Sequence, residues 1–153
     1  MAKQMPTTNF GMAGDMAVAV TTSLEARSFI VFNVNGVPPG AQVTFAALNL
    51  WSVPIRDNPG NITVCPATVA WAEGSITWNN QPGSTTPCKV TAGPGSTDYW
   101  WGARIDDIVQ DWADGAANYG VRLTISSGQA GFSSKQAGDQ SHIPQLIIVY
   151  KSF

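Results

Sequence analysis

The sequence contains few charged residues. Only 12% of its 153 residues are Asp, Glu, Lys or Arg, whereas an average globular domain has about 25%. The eight Lys and Arg residues are scattered singly along the chain, but a protein that binds a phosphate backbone needs clustered basic side chains. The formal net charge is −2 at pH 7. We therefore expect no nucleic-acid partner.

The sequence also lacks a long apolar run. No segment approaches the roughly 20 apolar residues that a membrane helix needs, so we expect no membrane partner. Near the start, Lys3 is the only basic residue, and Asp15 interrupts the apolar stretch between Phe10 and Val20. This pattern differs from the basic and apolar regions of a secretion signal. It favours a place within a protein assembly over secretion.

Histidine and cysteine are scarce. His142 is the only histidine, and an anchoring role in a loop is the simpler interpretation, because a catalytic histidine needs an orienting partner. Two cysteines and one histidine are too few for a structural zinc site. Cys65 and Cys88 either form one disulfide, worth about 3 kcal/mol, or remain two separate thiols. We expect no metal and no cofactor.

The acidic residues do not form an evident catalytic pair. Asp106 and Asp107 are adjacent at a predicted helix start, where capping would explain both. Glu73 lies between Trp71 and Trp78, where it is either a proton donor or a structural acceptor. Glycoside hydrolysis would need a second carboxylate at a suitable distance, and the sequence nominates none. We therefore expect a protein that is not an enzyme.

Turn-forming residues and tryptophan are abundant. The 15 Gly and 10 Pro separate eight to ten short segments with the apolar and polar alternation of half-buried strands. These features predict an all-β fold, a single jelly-roll-like antiparallel β-sandwich with one short helix and an N-terminal arm. Residues 1–14, which are small and polar, form the predicted arm. Residues 15–153 form the predicted sandwich domain.

One segment has helical instead of strand periodicity. Ile105, Ile108, Val109 and Trp112 follow one another at i, i+3, i+4 and i+7, which places them on one helical face. Gly115 fits the end of such a helix. The sequence therefore predicts a short amphipathic helix that starts near Ile105.

Four stretches of the sequence resemble one known family, in the order expected for it. They are Asn9-Phe10-Gly11; residues 27–34 with the turn Pro38-Pro39-Gly40 and residues 41–50; Trp71, Glu73 and residues 76–82; and residues 105–120, 132–135 and 144–150. The chain resembles the disaggregatase-related (DNRLRE) β-sandwich domains, which are grouped with carbohydrate-binding modules. The resemblance implies a β-sandwich without catalytic activity. Such domains occur in secreted surface proteins and polysaccharide-active enzymes.

The first functional hypothesis is a structural protein that stabilises a large assembly, most concretely a phage capsid cement or decoration protein at the virion surface. Its partners would be the capsid protein and further copies of itself, arranged as a trimer. Binding only to the assembled shell would stabilise that shell by mass action. The arm would make these contacts through Met1, Ala2, Lys3, Gln4, Met5, Pro6 and Phe10.

The alternative hypothesis is a carbohydrate-binding module, extracellular or at the cell surface, that recognises a polysaccharide. Flat aromatic side chains offer large apolar faces with polar edges, which suit sugar rings. Trp100 and Trp101 are neighbours on a predicted strand, so they should point to opposite faces of the sheet. For each aromatic residue, a place in the core is the competing interpretation. The candidates for stacking are Trp51, Tyr99, Trp100 and Trp101.

Overall fold

The structure, a computed structural model, describes residues 1–153 and contains ten β-strands, one α-helix and one 3-10 turn. The strands are β1 (Asp15–Val20), β2 (Glu25–Ala26), β3 (Ser28–Ile30), β4 (Gln42–Asp57), β5 (Asn61–Pro66), β6 (Lys89–Ala92), β7 (Trp100–Arg104), β8 (Val121–Ile125), β9 (Gly128–Ser133) and β10 (Gln145–Lys151). Helix α1 spans Asp106–Ala113, and the 3-10 turn spans Gln140–His142. None of the helices is long and apolar enough to span a membrane.

The strands form two antiparallel sheets. The larger sheet has the order β10-β4-β9-β1-β2, and β7 also pairs with β4. The smaller sheet has the order β3-β8-β5-β6. Strand β4 organises the larger sheet, because its 16 residues pair with β10 and β7 along their first part and with β9 near their end. The predicted all-β sandwich with one short helix is confirmed.

Side chains alternate between the two faces of β4. Ala46, Leu48 and Leu50 are fully buried between the sheets. Asn49 and Trp51 alternate with these residues, lie on the outer face and are partly exposed. Because neighbouring residues of a strand point to opposite faces, the same strand supplies both the core and the outer surface that is described below.

The core lies between the two sheets and extends to the helix. Phe132 of β9 and Leu123 of β8 are fully buried, and burial of a side chain of this size contributes about 1.5–3 kcal/mol. From α1, Ile108, Val109 and Trp112 are buried. The helix that the periodicity predicts is therefore confirmed, together with its buried face.

The two aspartates at the start of α1 do not cap it. Ile105 occupies the N-cap position, and no side chain makes a capping hydrogen bond there. Asp106 instead accepts a hydrogen bond from the amide of Ala46 and forms an ion pair with Arg104. Asp107 lies 2.5 Å from Lys89 Nζ. The capping interpretation of these residues is wrong, since both carboxylates bind partners outside the helix.

Residues 1–14 lie against the body of the protein. Ala2 pairs with Ala26 in an antiparallel bridge that covers the edge of β2. The amide of Lys3 donates to the carbonyl oxygen of Glu25 at 2.9 Å, and Lys3 Nζ lies 3.0 Å from the Glu25 carboxylate. The start of the predicted arm is therefore docked on the sheet.

A second attachment lies further along this segment. Asn9 Nδ2 donates to the carbonyl oxygens of Glu73 and Ile76, both at 2.7 Å, and Asn9 Oδ1 accepts from the amide of Gly11. Gly11 lies so close to this loop that a Cβ atom on it would meet the backbone of Glu73 at 2.8 Å or less. Only glycine fits this position. The segment is thus fixed at both ends and bridges the space between β2 and the loop at residues 71–80.

Cys65 and Cys88 are joined by a disulfide bond. Cys65 lies in β5, and Cys88 immediately precedes β6, so the bond links the two strands at one edge of the smaller sheet. A cross-link over a sequence separation of 23 residues contributes about 3 kcal/mol in the chain-entropy treatment.

Candidate functional site

Strand β7 carries two adjacent tryptophans that point in opposite directions. Trp101 is only 4% exposed, its ring centroid lies 5.3 Å from that of Phe132, and its indole N–H donates to the carbonyl oxygen of Ala92 at 2.8 Å. The expectation that Trp101 stacks on a sugar is wrong, because no ligand reaches its ring. Trp100 lies on the outer face and is 36% exposed.

Tyr99, the remaining aromatic candidate, immediately precedes β7 and makes a hydrogen bond within its own loop. Tyr99 is partly buried and packs against the core. Its hydroxyl oxygen accepts a hydrogen bond from the amide of Gly95 at 2.8 Å. Tyr99 thereby orders the loop that leads into β7.

Three rings form a corner on the outer face of the larger sheet. The register of β4 and β7 places Trp51 beside Trp100, with ring centroids 5.6 Å apart and planes at 77°. His142 stacks on Trp51 with centroids 3.7 Å apart and planes at 12°. His142 lies at 65° to Trp100. Trp51 and His142 therefore form one wall of this aromatic corner, and Trp100 forms the other.

The 3-10 turn holds His142 in place. Asp139 Oδ1 accepts a hydrogen bond from the amide of Ser141 at 2.9 Å, and its other carboxylate oxygen lies 2.8 Å from His142 Nδ1. Hydrogen bonds from the hydroxyl and amide of Ser141, followed by the interaction with His142, hold the pKa of Asp139 below its ordinary value. The ionised carboxylate thus fixes the turn, and the turn fixes the ring.

Beside the aromatic corner, three strands present a flat polar strip. Asn49 of β4 lies between Gly102 of β7 and Gln145 of β10. Gly102 leaves the surface open, because a Cβ atom there would come within 3.0 Å of Asn49 Oδ1. The side-chain amides of Asn49 and Gln145 make no hydrogen bond within the protein, and Asn49 is partly exposed while Gln145 is exposed. They therefore offer free donors and acceptors to a ligand.

At the far end of this surface, an ion pair neutralises the charge of Arg104. Arg104 lies over the ring of Phe45, with its guanidinium carbon 4.3 Å from the centroid, and it pairs with Asp106 at 2.5 Å. Partial desolvation raises the pKa of Asp106, but hydrogen bonds from Arg104 and from the amide of Ala46 lower it more strongly. The carboxylate therefore stays ionised and keeps the arginine paired.

We call the aromatic corner and the polar strip together the platform. Sequence reasoning identifies Trp51 and Trp100, but it misses the amides and the role of His142. Asn49 and Trp51 lie two residues apart on one strand, which indicates that they share a face. Nothing near His142 in the sequence indicates that its ring approaches Trp51. The platform consists of Asn49, Trp51, Trp100, Gly102, His142 and Gln145.

A concave surface lies under the N-terminal segment. It is a cleft of about 610 Å³ between that segment, β1, β3 and the loops near residues 71–76 and 134–136. Among the residues named above as arm contacts, Met1, Ala2, Met5 and Phe10 face this cleft. Other apolar side chains line its remaining walls, including Met16, Phe29, Phe32 and Trp71.

Three of the four charged side chains that line the cleft, those of Arg27, Glu73 and Lys135, are paired within the protein. Glu73 lies 2.7 Å from Lys135 Nζ and accepts a hydrogen bond from Gln136. Arg27 pairs with Glu25 at 3.0 Å and lies over the ring of Trp78. Of the two roles considered for Glu73, the structural acceptor is the one that these contacts support.

One known family matches nearly the full length of the chain. The sequence profile of carbohydrate-binding module family 96 matches residues 1–150. The chain belongs to carbohydrate-binding module family 96. A search of curated proteins finds no match. Membership of family 96 supports the carbohydrate-binding part of the resemblance and is consistent with a module that lacks catalysis. It lends no support to a capsid partner, a trimer or a virion location.

Proposed function

We propose that this family 96 module binds a polysaccharide on its platform and catalyses no reaction. The observation that carries the proposal is the exposed ring of Trp100, held at an angle to Trp51 and His142, beside amide side chains that have no partner in the protein. Aromatic faces and free amides are the two kinds of group that a sugar ring needs. Because carbohydrate-binding modules typically act outside the cell or at a cell surface, we propose the same location for this one.

The apolar C–H face of a sugar ring would lie against Trp100. Removal of these two apolar surfaces from water stabilises the complex. The ring is held in advance by its edge-to-face contact with Trp51, at 5.6 Å, so little side-chain entropy is lost on binding.

The sugar hydroxyls would bind the polar strip. Asn49 and Gln145 each supply a carbonyl oxygen and an N–H₂ group, and Gly102 lets the sugar approach the sheet between Trp100 and Arg104. The strip crosses β7, β4 and β10, whose spacing of about 4.8 Å per strand gives a width of about 10 Å. A flat strip of this width suits an extended polymer.

The capsid hypothesis has weaker support. Its contact residues, Met1 to Pro6 and Phe10, belong to the segment that is attached to the body through Ala2 and Asn9. In this position the segment covers the edge of β2 and one side of the cleft. We therefore retain sugar binding as the function.

Affinity gel electrophoresis with a panel of neutral and acidic polysaccharides tests the proposal, followed by calorimetry on each polymer that retards the protein. We expect Trp100→Ala to weaken binding at least about tenfold, equivalent to about 1.4 kcal/mol. Trp78→Ala is the matched control, since this partly exposed tryptophan contacts Arg27 far from the platform. Circular dichroism confirms that both variants fold.

Two results would overturn the proposal. The first is a wild-type protein that no polysaccharide of the panel retards. The second is full affinity in Trp100→Ala together with a loss in Phe10→Ala, which would move the site to the cleft.

A further inference from the structure

Strand β10 is an edge strand without a neighbour on its outer side. It spans Gln145–Lys151 and pairs only with β4. None of its backbone groups bonds to the backbone of any other segment. Along such an edge, alternate amides and carbonyls point away from the sheet and can pair with another strand. β10 therefore presents an unused row of donors and acceptors.

The other edges differ from β10. β2, at the opposite end of the same sheet, is covered by the bridge between Ala2 and Ala26. In the smaller sheet, β3 has only three residues, and β6 has four and begins with Lys89. Short, charged or covered edges resist pairing with other chains. β7 also has no neighbour on its outer side, but it has only five residues and ends with Arg104. With seven residues, β10 is the longest of the open edges.

The side chains of β10 add apolar surface to this edge. From Gln145 to Tyr150 the strand contains no charge, proline or glycine. Ile147 is 44% exposed and Val149 is 52% exposed, both on the outer face. The register shift opposite Val149 and Tyr150 leaves Thr44 of β4 unpaired, so the extra residue lies in β4 and not in β10. Bulges, prolines and lysines normally protect an edge, and here only Lys151 does so.

We propose that β10 pairs with β10 of a second copy of this chain, in antiparallel orientation. A strand that pairs antiparallel with itself is self-complementary about a two-fold axis, as a closed dimer requires. With the axis at Ile148, Ile147 faces Val149 of the second copy, which gives two pairs of β-branched side chains across the junction. Lys151 then faces the uncharged Gln145 of the second copy. No like charges meet.

This dimer would place the two platforms on the same side. The two-fold axis of an antiparallel strand pair is normal to the sheet, so the outer faces of both copies point in one direction. A polymer could then bind both platforms at once, with an avidity up to about 10²–10⁴-fold above that of one site. Only this consequence rests on the proposed sugar binding, whereas the dimer rests on the β10 edge alone.

Analytical ultracentrifugation of the whole chain, without any sugar, tests the dimer. We expect a concentration-dependent species of twice the 16.2 kDa chain mass. Val149→Lys should remove it, since each copy then places a charge in the apolar pairs that Ile147 and Val149 form across the junction. The matched control is Val90→Lys on the β6 edge, where the valine is 62% exposed, and this variant should still dimerise.

Hydrogen exchange provides an independent readout. Alternate amides of β10 should become more protected as the protein concentration rises, while those of β6 should not change. A wild-type protein that stays monomeric up to its highest soluble concentration would overturn the proposal. So would a dimer that survives Val149→Lys but dissociates in Val90→Lys. Because no sugar is present, neither result depends on whether the platform binds polysaccharide.

Discussion

The platform and the cleft are both partly apolar, but they differ in what their polar groups do. In the cleft, Glu73 is bound by Lys135 and Gln136, and Arg27 is bound by Glu25. On the platform, the side chains of Asn49 and Gln145 have no partner in the protein. Most charged groups of the cleft are therefore engaged in contacts within the protein, whereas the two amides of the platform can still bind a ligand.

The cleft and the platform also differ in origin. The cleft exists because the N-terminal segment bridges β2 and the loop at residues 71–80, held there by Ala2 and Asn9. The platform exists because β4, β7 and β10 lie in register. The platform combines apolar contact with free amides, and this combination supports the proposed sugar binding.

The largest expected effect comes from filling the platform or the cleft, one at a time, with a larger side chain. Gly102→Leu would place a side chain over the polar strip, where even a Cβ atom lies 3.0 Å from Asn49 Oδ1. We expect binding to fall at least about a hundredfold, or about 2.7 kcal/mol. Ala13→Leu fills the cleft instead and should leave the affinity unchanged. Calorimetry measures both, and the opposite pattern would assign the site to the cleft.

A second test separates stability from binding. Asn9→Ala removes two hydrogen bonds to Glu73 and Ile76, and we expect a loss of about 2 kcal/mol, or a fall in Tm of about 4–8 °C. Asn33→Ala is the control, because Asn33 accepts only one local bond, from the amide of Asn35. Calorimetric melting measures the loss. Sugar affinity below the Tm should not change, and a large loss of affinity would show that the cleft wall contributes to the site.

A third test uses pH to neutralise Asp139, the carboxylate that holds His142 in place. The pKa of Asp139 is lowered in the folded protein, so its carboxylate stabilises the fold above the ordinary value of 3.8. That contribution is lost as the pH falls through the lower, folded-state pKa. We expect Asp139→Asn to melt below the wild type at pH 7 and to match it in strong acid. A gap in Tm that stays constant across this range would contradict the role given to Asp139.

The smallest expected effect is that of salt. In the proposed function, the sugar contacts uncharged groups of the platform, and the nearby Arg104 is paired with Asp106. Affinity should change by less than about twofold between roughly 0.05 and 0.5 M salt, over which exposed charges become strongly screened. Titrations at the two salt concentrations measure this change. A steep loss would instead indicate an anionic polymer bound near Lys135 and Arg27, at the rim of the cleft.

Much of the fold follows from local pattern. Alternation of Val121, Leu123 and Ile125 predicts a strand, and the spacing from Ile105 to Trp112 predicts the helix. Both patterns report burial of one face, which is a local property of the chain. The pairing of strands is not local, because β4 contacts residues up to about a hundred positions away.

The candidate site could be predicted only in part. Adjacency places Trp100 and Trp101 on opposite faces of a strand, but it does not say which of them faces the core. The core contact with Phe132 decides this, at a sequence distance that no local pattern spans. For the same reason, the chain gives no sign that His142 covers Trp51 or that Gln145 lies beside Asn49.

The sequence by itself determined the class of fold, the single helix and the presence of aromatic residues on strands. These features depend on periodicities of two and 3.6 residues, which are fixed by backbone geometry. The tertiary structure alone decided which rings are exposed, which amides are free and which edge is open. Each of these depends on contacts between segments far apart in the chain, and register sets such contacts only when the sheets assemble.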